Sequence, residues 1–119
     1  MALPVLLLVE DNAMDAIIVC DLLEDDFDVV HVERLDAALE RLNGWRPRCA
    51  LVDMSLPDMH GPAIIAAVRE AAPEVPVIAL SGFDDRDAAA SACAAGARDY
   101  VVKGIEAEPL LSAISAALA

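Results

Sequence analysis

The sequence predicts an α/β fold, a five-stranded parallel sheet with five helices distributed over both faces. Apolar runs of about five residues alternate along the chain with segments of helical period, and strands buried on both faces read as such unbroken runs. Each run also leads into polar residues, and in an open parallel sheet the carboxyl ends of the strands line one crevice. Right-handed crossovers then put helices on both sides.

The first run, Pro4 to Val9, leads into Glu10-Asp11. Asn12 is placed to cap a helix whose expected buried face is Met14, Ile17, Ile18 and Leu22, the spacing of one helical stripe. The acidic stretch from Asp21 to Asp28 turns the chain into a second strand, Phe27 to Val32. Leu35, Ala38, Leu39 and Leu42 form the next helical stripe, and Asn43-Gly44 ends it. Cys49 to Val52 is the third strand and leads into Asp53; a loop through Leu56-Pro57 to Gly61 follows. Pro62 suits the first turn of a helix with Ile64, Ile65 and Val68 on its apolar face.

The fourth strand is Val75 to Leu80, with Pro76 near its start, where a missing donor is tolerated. Asp84, Asp85 and Asp87 favour a helix N-terminus, and Gly96 marks that helix's end. From Ala88 to Ala97 this fourth helix has no large apolar residue, so it buries little area and is expected to be weakly anchored. Asp99 to Val102 is the fifth strand, before a last helix bearing Leu110, Leu111, Ile114 and Leu118. One domain is expected over 1–119, without repeats or low-complexity linkers.

A hydrophobic fraction of 58% with only 3% aromatic residues means a core of Val, Leu, Ile and Ala. The formal charge of −13 argues against nucleic acid or an anionic membrane as a direct partner. It also repels a phosphate donor unless a cation intervenes. Cys20, Cys49 and Cys93 are far apart and set in apolar stretches, so they are expected to be buried, reduced thiols of a cytoplasmic protein. The apolar N-terminus lacks a basic lead-in and is too short to span a bilayer. His31, in the second strand, is expected to be structural and remote from the site, His60 a loop residue, and Trp45 a packing residue.

The strand ends bring together Glu10, Asp11, Asp53, Ser81 and Lys103. Lys103 is the only lysine; the other seven basic residues are arginine. Adjacent strands lie about 5 Å apart, and two carboxylates about 4 Å apart repel by roughly 4 kcal/mol at an effective dielectric near 20. Such a cluster takes up a proton or binds a hard cation, and Mg2+ suits carboxylates combined with phosphate oxygens. An aspartate can accept a phosphoryl group, a transfer that depends on positioning and charge neutralisation. Asp53 would be the acceptor, with a cation, the Lys103 ammonium and the Ser81 hydroxyl each neutralising or binding a phosphoryl oxygen.

These residues resemble the response-regulator receiver domains of two-component signalling and phosphorelays, over essentially the whole chain. The matching elements are Glu10-Asp11, Asp53 within Asp-Met-Ser-Leu-Pro-Asp-Met-His-Gly, Ser81-Gly82, Tyr100 and Lys103. The resemblance implies the flavodoxin-like strand order 2-1-3-4-5. It implies phosphorylation of Asp53 by a histidine kinase or histidine phosphotransfer protein. It also implies Mg2+ bound directly by Asp11 and Asp53, through water by Glu10, and by the backbone carbonyl of Ser55. Tyr100 matches the aromatic that rotates inward as the Ser81 hydroxyl moves toward the phosphoryl group.

The signal is then expected to leave through the fourth helix, fifth strand and fifth helix, to a downstream protein or a phosphorylation-dependent homodimer. Beyond self-phosphorylation and self-dephosphorylation, no enzyme activity is expected. Two residues depart from the family pattern: Gly104 stands where proline often follows the lysine, and His60 where Asp or Ser is common before Gly61. The rival reading is an aspartyl-nucleophile phosphatase or phosphotransferase of the haloacid-dehalogenase type. That chemistry wants a second aspartate two positions after the first, where this chain has Ser55. A flavodoxin-like electron carrier fits poorly, because an acidic loop after the first strand would repel a flavin phosphate.

Overall fold

A computed structural model describes residues 2–119. The elements in chain order are β1 (Val5–Val9), α1 (Ala13–Leu23), β2 (Asp28–Val32), α2 (Leu35–Leu42), β3 (Cys49–Asp53), β4 (Ser55–Leu56), β5 (Met59–His60), α3 (Pro62–Ala71), β6 (Val77–Ser81), α4 (Arg86–Ala94), β7 (Asp99–Val102) and α5 (Glu108–Leu118). Five strands pair in parallel in the order β2-β1-β3-β6-β7. Counting only the strands of this sheet, that is 2-1-3-4-5, the flavodoxin-like arrangement.

Alternation along each strand divides the apolar residues between two cores. Leu7, Val9, Ala50, Val52, Val77 and Ala79 face the side covered by α2, α3 and α4. Leu6, Leu8, Cys49, Leu51, Ile78 and Leu80 face α1 and α5. Both sets are fully enclosed, which is why the strands read as unbroken apolar runs. Among the described residues no helix is long and apolar enough to cross a membrane.

Most helix ends fall where the sequence places them. Asn12 Oδ1 accepts the N–H of Asp15 at 3.0 Å, and Asp85 Oδ1 accepts those of Asp87 and Ala88. Gly96, at φ 115°, closes α4 with the Arg69 side chain 3.1 Å from where a Cβ would stand. In α4 only Ala92 is buried, so the helix is as lightly held as its composition predicts.

Three expectations need correction. The buried face of α1 is Ala16, Val19 and Leu23, while Met14 and Ile17 are exposed. Apolar residues run most of the way round this helix, so spacing alone does not select a face; docking on the sheet does. The loop from Leu56 to Gly61 contains a small antiparallel hairpin, Ser55 pairing with His60 and Leu56 with Met59. Two-residue strands are too short to show a period. The fourth strand starts at Val77, with Pro76 outside it and its carbonyl accepting the N–H of Ala50 at 2.9 Å.

Candidate functional site

Register decides which side chains meet. Val9 pairs with Val52, so Glu10 and Asp53 follow side by side at the ends of β1 and β3. Asp53 pairs with Leu80, and Ser81 with Val102, which sets Ser81 and Lys103 at the next two strand ends. The Lys103 N–H donates to the Ser81 carbonyl at 2.7 Å and the Met54 N–H to the Leu80 carbonyl at 3.0 Å, extending the ladder to the rim of the crevice.

Glu10, Asp11 and Asp53 each offer a carboxylate oxygen within 4.8 Å of the others. Glu10 has no exposed surface and Asp53 is 6% exposed, whereas Asp11 faces solvent. Into this cluster reaches the Lys103 ammonium, with Nζ 2.5 Å from Glu10 Oε1 and 3.2 Å from Asp53 Oδ1. Nζ also lies 2.9 Å from Asp15 Oδ2.

The charges hold each other in place. Burial, with Asp53 beside it, pushes the Glu10 carboxyl up to about 7 against the Lys103 ammonium and the Asn12 N–H that favour the anion. Burial disfavours the Lys103 ammonium, but Glu10, Asp15 and Asp53 outweigh that and the group is raised overall. Removal of either partner would leave the other buried without its counter-charge.

Around this centre, Ser81 Oγ accepts the N–H of Phe83 at 3.2 Å, which orders the turn after β6. The Tyr100 hydroxyl donates to the carbonyl of Phe83 at 2.8 Å, so the aromatic ring and the Ser81 turn are physically linked. Ser55 lies on the hairpin beside the cluster, with Oγ 3.0 Å from His60 Nδ1. His60 is therefore on a strand of the hairpin and bonded, not a free loop residue.

Glu10, Asp11, Asp53, Ser81 and Lys103 stand together at the strand ends, with Ser55 on the following hairpin and Tyr100 bonded to the turn after Ser81, and two more residues join them. His31 was expected to be remote, yet its Nε2 lies 2.7 Å from the Glu10 carbonyl oxygen. A carbonyl only accepts, so Nε2 carries the proton. β2 is the neighbour of β1, with Leu8 opposite His31, and the ring reaches forward to the strand end. Asp15, in the first turn of α1, is the other. Its only sequence signal was its place in a first turn, where an acid suits any helix. Nothing in local spacing linked it to Lys103, 88 positions away. Trp45 packs against the α2–α3 core with the Arg41 guanidinium 5.7 Å from its ring centre, the packing role expected of it.

Comparison with known proteins places this geometry. The family model for the response regulator receiver domain matches residues 6–115. The regulatory protein LuxO of Vibrio cholerae serotype O1 is 32% identical over 112 residues, covering 93% of this chain and 25% of LuxO. The response regulator protein FleR of Pseudomonas aeruginosa is 31% identical over 115 residues, covering 97% of this chain and 24% of FleR. The chain thus spans about a quarter of the length of these relatives. Among solved structures, a response regulator receiver domain protein from Clostridium thermocellum superimposes with a TM-score of 0.86 at 28% identity, covering 98% of this chain and 94% of that one.

Proposed function

The chain belongs to the response regulator receiver domain family, and on that premise we propose that it is a phosphorylation-controlled signalling switch in which Asp53 accepts the phosphoryl group. One observation carries this reading: a lone lysine reaches within 3.2 Å of Asp53 Oδ1 at the edge of a three-carboxylate cluster. Receiver domains of response regulators receive phosphate from histidine kinases, and we assign this chain the same donor, or a histidine phosphotransfer protein. All 119 residues would act as one receiver domain.

The cluster fits a hard divalent cation, since every donor is oxygen and the oxygens lie within 4.8 Å. Asp11, Asp53, Glu10 and the Ser55 carbonyl would hold Mg2+. When bound, the ion neutralises charge on phosphoryl oxygens as they approach the acids.

The chain's own residues do the rest. An oxygen of the Asp53 carboxylate bonds to phosphorus as the phosphorus–nitrogen bond of the donor imidazole breaks, and the freed imidazole takes up a proton from solvent. Lys103 supplies a fixed positive charge beside the acceptor, and Ser81 a hydroxyl at the next strand end. Drawing the Ser81 hydroxyl toward a phosphoryl oxygen would release the Phe83 N–H that it now accepts, and Tyr100 is bonded to that same residue. The change would therefore reach α4, β7 and α5, where we place the docking of a downstream protein or a second copy. The haloacid-dehalogenase alternative is disfavoured, because the position two residues after Asp53 holds Ser55, bonded to His60.

Incubation with acetyl phosphate and Mg2+ is expected to add one phosphoryl group, read by intact mass, and Asp53→Asn to abolish rapid labelling. Undiminished labelling of Asp53→Asn would remove the central claim.

A further inference from the structure

An ammonium has three N–H donors, and Lys103 has three carboxylate neighbours within 3.2 Å: Glu10, Asp15 and Asp53. These neighbours are not equivalent. Glu10 and Asp53 belong to the acid cluster, so a cation would compete with the lysine for their oxygens. Asp15 stands outside that cluster. It lies on the first turn of α1, where its N–H is held by Asn12 Oδ1 at 3.0 Å, so the turn that carries it is fixed.

The residue that follows the lysine does not help to hold it. Gly104, the next residue, is exposed, with nothing within 4 Å of where its Cβ would stand. A cavity of about 120 Å3, lined by Asp15, Ile18, Val19, Lys103, Gly104 and Ile105, lies beside the side chain and leaves it room to move. A long side chain with spare volume loses its aim unless an ion pair holds it, and losing aim by an ångström is costly in a positioning reaction.

We infer that Asp15 is a positioning residue for Lys103, keeping the ammonium directed at the Asp53 end of the crevice when Glu10 and Asp53 engage a cation and a phosphoryl group. The consequence for phosphorylation rests on the reading of Asp53 given above; the hold on the lysine does not.

Because Lys103 is the only lysine, lysine isotopically labelled at Nζ alone gives a single side-chain resonance whose relaxation reports how ordered the ammonium end is. On addition of Mg2+, order is expected to persist in the wild type and in Asp15→Glu, and to be lost in Asp15→Asn. In parallel, labelling of Asp53 by acetyl phosphate is expected to slow by roughly tenfold in Asp15→Asn, as displaced reacting groups do, and to recover in Asp15→Glu. In a Lys103→Met background, Asp15→Asn is expected to cause no further loss. Equal losses in both backgrounds would mean that Asp15 acts only through its charge, and would overturn the inference. So would a lysine resonance equally ordered in wild type and Asp15→Asn with Mg2+ present. If the wild type is not labelled at all, the phosphoacceptor reading fails, while the lysine resonance still decides the role of Asp15.

Discussion

Lys103 serves several acceptors from one atom, and that defines what can replace it. An arginine keeps the charge but spreads it over a planar fork, which cannot converge on Glu10, Asp15 and Asp53 from a single point. Lys103→Arg is therefore expected to slow Asp53 labelling while the protein still unfolds in one cooperative transition; labelling at the wild-type rate would show that only the charge is needed. The cysteines offer a second test at this scale. Burial pushes the Cys49 thiol up to about 12, and burial with nearby Asp21 raises Cys20, so neither forms the reactive thiolate readily. Cys93 is exposed. Alkylation at mildly alkaline pH is expected to modify Cys93 first, Cys20 slowly and Cys49 only after unfolding, in an order that peptide mass mapping reads. Residues were also where the sequence was least legible. Glu10, Asp53, Ser81 and Lys103 stood out because each directly follows an apolar run, and Asp11 because it pairs with Glu10. His31 and Asp15 did not, because each reaches the crevice through a neighbour that only the tertiary fold supplies.

At the scale of elements, the hairpin after β3 has a structural task. α2 begins after Arg34, whose side chain has no oxygen to cap the first turn. Asp58, from the hairpin turn, takes that place: Oδ1 accepts the N–H of Leu35 and Oδ2 that of Asp36, each at 3.0 Å. Slight burial raises the Asp58 carboxyl, but these two N–H groups and the Arg34 guanidinium prevail and lower it. A cap delivered from 22 positions away has no sequence signature, whereas the Asn12 and Asp85 caps, adjacent to their helices, were readable. Asp58→Ala is expected to lower the thermal midpoint by a few degrees and to speed amide exchange in the first turn of α2, with Asp58→Asn falling between. Unchanged exchange at Leu35 and Asp36 would mean that water caps the turn equally well. On the same side of the sheet, α3 buries Ile64, Ile65 and Val68, while α4 buries Ala92 alone. α4 is expected to exchange its amides well before α3, consistent with an element that can shift when the crevice is filled. That weakness was legible because alanine content can be read directly, while the face of α1 was not, because its apolar residues run around the helix.

For the whole molecule, the governing fact is a charge of −13 with three carboxylates concentrated at one rim of the sheet. The doubly covered parallel sheet was legible because its central strands are apolar on both faces, and the rim at their carboxyl ends followed from it; the strand order came only from the resemblance to receiver domains. The energetic coupling was not, because repulsion depends on distances that only the fold sets. Any cation relieves part of the general repulsion by screening, but only one that binds the cluster gains the site-specific share. A ligand that binds the native state alone stabilises it by about 1.4 kcal/mol at ten times its dissociation constant. Mg2+ is therefore expected to raise the thermal midpoint beyond the effect of sodium chloride at matched ionic strength, and chelator to reverse the rise. Asp11→Asn removes the exposed carboxylate of the cluster without opening a core cavity, so it should fold, keep the sodium chloride response and lose the excess given by Mg2+. If Asp11→Asn retains that excess, the cation is acting elsewhere on the acidic surface and the cluster is not its site.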